Sequence, residues 1–314
     1  MVHDSVPGGM AQSQSAASTD AGTEQPQSVS FAFLKGGSTK TTLSINTARH
    51  LAERNGEGSV LFIDFDPNGH ATRNYDFGHD GLYEQRSDLD RVLLGSSPDM
   101  DPRELVYETP FKFDFLPSTD QHESIEKRLS TAAGGSGRLR TRIVEELLGD
   151  EYDYIIIDQP SDAGTMNNNG ILASQNVMMP MLPKGETIGS FERTRDRLIA
   201  PLEEQNISIN IMAVVPNLLG DRIDQQTNDR ELLENLNKSF KSLVPEFAQI
   251  SEDEWEQIDN GEMAPPKPGI RETAEITNGM KNESLPLLDY APDNPQNEHF
   301  DELASIIENG GIDR

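Results

Sequence analysis

The 314-residue chain has no cysteine, which excludes disulfides, thiolate metal sites and iron–sulfur clusters held by cysteine. It also lacks long apolar runs: none approaches the roughly 18 residues that a membrane span needs. The opening "MVHDSVPGGMAQSQSAASTD" has no basic segment followed by an apolar one, as a secretory signal would. A cytoplasmic protein is the expectation. Aromatic residues make up only 6%, and 26 basic residues face 54 acidic ones, a net charge of −28. Acid in blocks would suggest disorder or a binding tail. Here it is spread along segments with apolar periodicity, which points to a folded core under an acidic coat. Lysine is scarcer than arginine, a pairing similar to that of proteins from salt-accumulating organisms, where a Debye length of about 3 Å in molar salt screens self-repulsion. An ordinary acidic cytosolic protein is the alternative.

What is present reads as one domain with tails. Residues 1–27 are rich in Ser, Gln, Gly and Ala and offer little to bury, so a disordered tail is expected. Order begins at "SVSFAFL", a short buried strand. "TTLSINTARHLAERNG" then places Leu43, Ala48, Leu51 and Ala52 near one helical face, with Gly56 as stop signal. "SVLFIDFD", "FKFDFLPST", "YDYIIIDQP", "NVMMPMLP" and "ISINIMAVVPN" read as further strands separated by helix-compatible segments. "STAAGGSGRLRTR" suits a flexible loop entering a helix, residues 223–247 suit a charged helix, and "EHFDELASIIENGG" a terminal amphipathic one with Phe300, Leu303, Ile306 and Ile307 on one face. Strands alternating with helices predict an α/β fold with a doubly wound, mostly parallel sheet. The domain is expected over residues 28–308, with 309–314 as a C-terminal tail.

The strand–helix junction "FLKGGSTKTT" departs from the strict phosphate-loop pattern, because Leu34 and Thr39 stand where glycines are usual. It keeps what a phosphate cradle needs physically. Gly36 and Gly37 let backbone N–H groups approach closely at a helix N-terminus, Lys40 can reach the β and γ phosphates, Thr41 can sit on Mg²⁺ and Thr42 can add a phosphate contact. Thr39 is the discordant residue, since a β-branched side chain there crowds the phosphates or is strained if φ is positive. In a shifted loop, Ser38 and Thr39 would instead supply hydroxyl contacts. Two apolar strands end in acid: Asp64 and Asp66 are expected on the same side of an extended strand, and Asp158 at the carboxyl edge where open α/β sheets bind ligands. Loop and acids together describe a nucleotide and Mg²⁺ site. Plain surface lysines and a polar strand end are the bland alternatives.

"KGGSTKTT", "LFIDFDPNGHAT" and "YDYIIIDQPSDAG", with "MPMLPKGETIGSF" and "GIRETAEITNGMKNESLPLLDYAPDN", resemble the ParA/MinD family of deviant Walker A P-loop ATPases, specifically its Soj-like partition branch. Gln159 and Ser161 depart from the branch's usual small residue and second proline, and Asn68 from its glutamine. The resemblance implies that Lys35 crosses to the partner's phosphates in an ATP-bound sandwich homodimer. It implies that Asp66 positions the attacking water, that Asp64 and Asp158 hold Mg²⁺ through its waters, and that Asn217 contacts adenine, where a turn asparagine is the alternative.

The implied function is slow, partner-stimulated ATP hydrolysis in plasmid or chromosome segregation, with non-specific DNA binding in the ATP state and a ParB-like or other small partner protein. Arg138, Arg140 and Arg142, with Arg193, Arg195 and Arg197, are the local arginine clusters available for DNA, or are merely solvated helix faces. His50 and His70 have no metal-ligand company. A MinD-like positioning ATPase is an alternative, but the C-terminal segment is acidic rather than basic, so no stable membrane binding is expected. A nucleotide-binding regulatory module that barely hydrolyses is another.

Overall fold

The computed structural model describes residues 25–34, 39–75, 77–79, 82, 88–95, 100–183 and 187–312, with only the backbone of Thr39 and Thr187. Seven parallel strands form one sheet: β1 (Gln27–Phe31), β2 (Val60–Asp64), β3 (Asp114–Leu116), β4 (Tyr154–Asp158), β5 (Asn176–Met181), β6 (Asn210–Leu219) and β7 (Ile270–Arg271). Their spatial order is β3-β2-β4-β1-β5-β6-β7. Every residue of β2 and of β4 is buried, as expected of parallel strands covered on both faces.

Alternation along each strand divides the core. Val60, Phe62, Val29, Phe31 and Ile156 face one side and meet Leu43, Ala48, Leu51 and Ala52 of α1 (Thr39–Asn55) and Phe300, Leu303 and Ile307 of the C-terminal helix Gln296–Glu308. Leu61, Ile63, Ile155 and Ile157 face the other side and meet Ile125 and Leu129 of the helix His122–Thr131 and Met166 of the helix Thr165–Ser174. Both amphipathic faces expected for the first and last helices are the faces that pack. Gly56 closes α1 with φ 99°, its N–H on the Ala52 carbonyl, the left-handed cap for which glycine is suited.

Three departures have local causes. The sixth strand runs on past Asn217 to Leu219, with a register shift between those two residues where Leu218 sits at φ 56°. The seventh strand, only two residues long, carries no periodic signal. In "STAAGGSGRLRTR" the expected loop is a tight 3₁₀ turn, Gly135–Gly137, and the helix it enters carries a π-helical stretch, Arg140–Val144. Residues 1–24 of the expected N-terminal tail lie outside the described residues, and β1 starts at Gln27. In the expected C-terminal tail, the Gly310 carbonyl accepts from Asn210 Nδ2 at 3.0 Å and Ile312 packs on the core.

Two core positions yield predictions. His122 is 1% exposed with both ring nitrogens buried and unpartnered, edge-on to Phe65. Burial pushes it down from 6.5 to about 4. The folded state therefore keeps its advantage above pH 6.5 and loses it as pH falls toward 4, a loss of roughly 3 kcal/mol. His122→Leu should remove that loss, so urea midpoints at pH 7 and pH 4.5 should lie closer together in the variant than in wild type. Gly170 faces the buried Gln159 amide so closely that a Cβ would overlap it. Gly170→Ala should cost about 1–3 kcal/mol by overpacking, read as a lower melting temperature.

Candidate functional site

The chain leaves β1 at Phe31 and enters α1 at Thr39. Lys35, Gly36, Gly37 and Ser38, expected to cradle phosphate, lie outside the described residues. Thr39 opens α1 on helical backbone, so the strain expected of a β-branched residue at positive φ does not arise. Lys40 is 3% exposed, and its Nζ donates to Ser161 Oγ at 2.7 Å. Burial lowers its pKa, opposed by the nearby charges of Asp158, Asp66 and Asp162. Thr41 Oγ1 donates to Asp158 Oδ2 at 2.6 Å. Thr42 is turned elsewhere and donates to Met280 Sδ at 3.4 Å, because adjacent helical residues point about 100° apart.

The three acids differ in what they have left to offer. Asp158 ends β4 directly beside Asp64 at the end of β2. It is fully buried, and its Oδ1 has no hydrogen-bond partner. Burial first, then the neighbouring Asp64, raises its pKa well above the carboxylate range, with Thr41 and Lys40 opposing. Asp64 is committed: Oδ2 accepts from the Thr72 backbone N–H at 2.8 Å and from Thr72 Oγ1 at 2.7 Å, and Oδ1 from the Asp66 N–H at 3.3 Å. Burial lifts it to about 7 against those bonds. Through Thr72 it anchors the short helix His70–Asn74, and its Oδ1 keeps a single long hydrogen bond.

Asp66 lies beyond β2, so the expected strand alternation does not relate it to Asp64. Asn68 holds its Oδ1 with both backbone and side-chain N–H groups at 2.8 Å, and Oδ2 takes no hydrogen bond among the described residues. Ser118 completes the arrangement: its N–H donates to Thr72 Oγ1 at 2.9 Å and its hydroxyl to the Asp66 carbonyl at 2.7 Å. Sequence reasoning missed Thr72 and Ser118, and noted Ser161 only as a departure. No local pattern distinguishes these hydroxyls from ordinary loop residues.

Asn217 is buried within β6, and its Oδ1 accepts from the Leu218 N–H at 2.8 Å. The structure therefore puts it in a strand rather than after one. Of the arginine clusters, Arg140 pairs with Glu145 at 2.8 Å and Arg195 with Glu203 at 3.8 Å. His50 is a core residue, stacked on Phe300 with Nδ1 2.8 Å from the Asn46 carbonyl. Among the described residues no group of three or more His, Asp or Glu side chains gathers as a metal cage. Thr41 bonds Asp158, which lies beside Asp64, an arrangement that suits a cation that keeps most of its waters.

The family model described as an AAA domain matches residues 26–193, from β1 through the last acid and beyond. The sporulation initiation inhibitor protein Soj of Bacillus subtilis is 27% identical over 226 residues, covering 69% of this chain and 83% of Soj. The chain belongs to the ParA/MinD family of P-loop ATPases. Among solved structures, an ATP complex of McdA from Cyanothece superposes with a TM-score of 0.68 at 19% identity, covering 93% of this chain and 99% of that one. That fold is therefore shared over nearly the whole chain. Cobyrinic acid a,c-diamide synthase from Mycobacterium smegmatis, solved with ADP and magnesium, is 25% identical with a TM-score of 0.58, covering 80% of this chain and 89% of that one.

Proposed function

We propose that this chain is a partition-type ATPase that binds ATP with Mg²⁺, dimerises in that state and hydrolyses the nucleotide slowly. The observation that carries the reading is the meeting of buried Lys40, Thr41 and Asp158 at the carboxyl ends of β1 and β4, with Asp158 Oδ1 lacking any partner. An orphaned buried carboxylate oxygen is costly, and a magnesium-bound water would satisfy it. The nucleotide- and magnesium-bound neighbours support the same ligands here.

Each residue of this chain has a defined task. Lys40 holds phosphate oxygens with charge-assisted hydrogen bonds, while backbone N–H groups of Gly36, Gly37, Ser38 and Thr39 line the cradle. Thr41 and Asp158, with Asp64 acting through water, would hold the metal, which when bound neutralises phosphate charge. Asp66, its Oδ1 fixed by Asn68, presents Oδ2 to orient the attacking water. Lys35 reaches the partner subunit's phosphates, bringing positive charge to the junction of two acidic monomers. Asn217 contributes at the base-binding edge.

In the ATP state the dimer binds DNA non-specifically and a small ParB-like protein resets it. The charge of −28 opposes DNA phosphates, so this contact rests on the arginine clusters and weakens steeply with salt. The MinD-like alternative is disfavoured, because the apolar face of the C-terminal helix is spent on the core: Phe300, Leu303 and Ile307 are fully buried. No helix among the described residues is long and apolar enough to cross a membrane. Sedimentation with ATP and Mg²⁺ should show dimers in wild type and monomers in Lys35→Ala. Dimerisation that is unchanged in the variant, or absent from wild type, would overturn the proposal.

A further inference from the structure

We infer that Ser161 is a positioning residue of the nucleotide site, holding the Lys40 ammonium in place before any phosphate arrives. The Lys40 Nζ to Ser161 Oγ bond of 2.7 Å spans 121 residues of sequence, so it is created by the fold. The loop bearing Ser161 is fixed on both sides. Asn167, fully buried, donates from Nδ2 to the Pro160 carbonyl at 3.0 Å and to the Asp162 carbonyl at 2.9 Å, the two residues flanking Ser161. One residue further back, buried Gln159 donates to Ser30 Oγ at 2.9 Å, and Ser30 Oγ to the Gly170 carbonyl at 3.0 Å. The absence of a Cβ at Gly170 leaves room for that amide. Three buried polar side chains therefore immobilise a stretch whose one hydroxyl meets Lys40.

The chemistry follows from donor counts. A lysine ammonium has three N–H donors on a stem with much rotamer freedom. Ser161 takes one, which restricts the stem and leaves two for phosphate oxygens. Thr41 does not compete, because its hydroxyl is spent on Asp158. The contact exists without nucleotide, so its loss should fall on affinity rather than on turnover.

This inference rests on the nucleotide site proposed above, and the test separates the two. Equilibrium binding of ATP with Mg²⁺ and steady-state turnover are measured for wild type, Ser161→Ala, Ser161→Thr and Ser161→Cys, each checked by thermal melting. Ser161→Ala should raise Kd about tenfold, as for loss of a hydrogen bond to a charged group, while kcat stays within about threefold. Ser161→Thr should restore Kd to near the wild-type value. The near-isosteric Ser161→Cys, whose sulfur is a weak acceptor, should behave like alanine and serves if the alanine variant folds poorly. Wild-type affinity or tighter binding in Ser161→Ala and Ser161→Cys would overturn the role of Ser161 and leave the site standing. Loss in Ser161→Thr equal to that in alanine would also overturn it, since the hydroxyl would then not be what matters. Wild type that binds no ATP would overturn the site itself, and this inference with it.

Discussion

Asp66→Ala is expected to slow ATP hydrolysis by a factor on the order of 100 to 10,000 while leaving ATP bound. The carboxylate is 3% exposed, Asn68 fixes one oxygen with two hydrogen bonds, and the other oxygen is unbonded among the described residues. That is the geometry of a group that aims a water molecule. Neither Lys40 nor Thr41 hydrogen-bonds to it, since their partners are Ser161 and Asp158. Removing a negative charge beside the phosphates should hold or tighten affinity. The turn should also survive, because Ser118 bonds the Asp66 backbone carbonyl and not its side chain. Single-turnover hydrolysis alongside equilibrium binding provides the check. Affinity and turnover vanishing together would show that Asp66 serves the metal or the fold instead.

Lys40→Met should have the opposite signature, with ATP affinity reduced roughly 100-fold, a magnitude expected when two charge-assisted hydrogen bonds are lost. Methionine keeps most of the buried stem and removes the ammonium. What remains is a cluster of Asp158, Asp66 and Asp162, whose charges now favour Lys40 in its cationic form. Without the lysine those carboxylates would repel the incoming phosphates, which amplifies the loss. Titration calorimetry measures it directly. Affinity within a few-fold of wild type would mean that Lys40 does not face the phosphates.

Much of the fold was readable because its signals are local. Buried parallel strands write themselves as short apolar runs such as "YIIID", and α1 as Leu43, Ala48, Leu51 and Ala52 followed by Gly56. The phosphate loop was legible because a glycine pair and a lysine at a strand–helix junction have few other uses. The two-residue β7 was not legible, since two residues hold no period. The continuation of β6 past Asn217 to Leu219 was equally hidden, because a bulge is a feature of pairing and not of composition.

The sequence by itself determined the α/β class, the site of the phosphate loop and the fact that two strands end in acid. Hydrophobic periodicity and glycine placement act within a few residues of where they are written. Only the tertiary structure decided what those acids touch. Strand order inserts β4 between β2 and β1, which sets Asp158 against Asp64 and within reach of Thr41. The same packing spends Asp64 on Thr72, turns Thr42 toward Met280 and brings Ser161 onto Lys40. The contacts of Thr41, Thr42 and Lys40 depend on sheet register and helix rotation, which are settled among segments more than a hundred residues apart, and no local stretch of sequence records them.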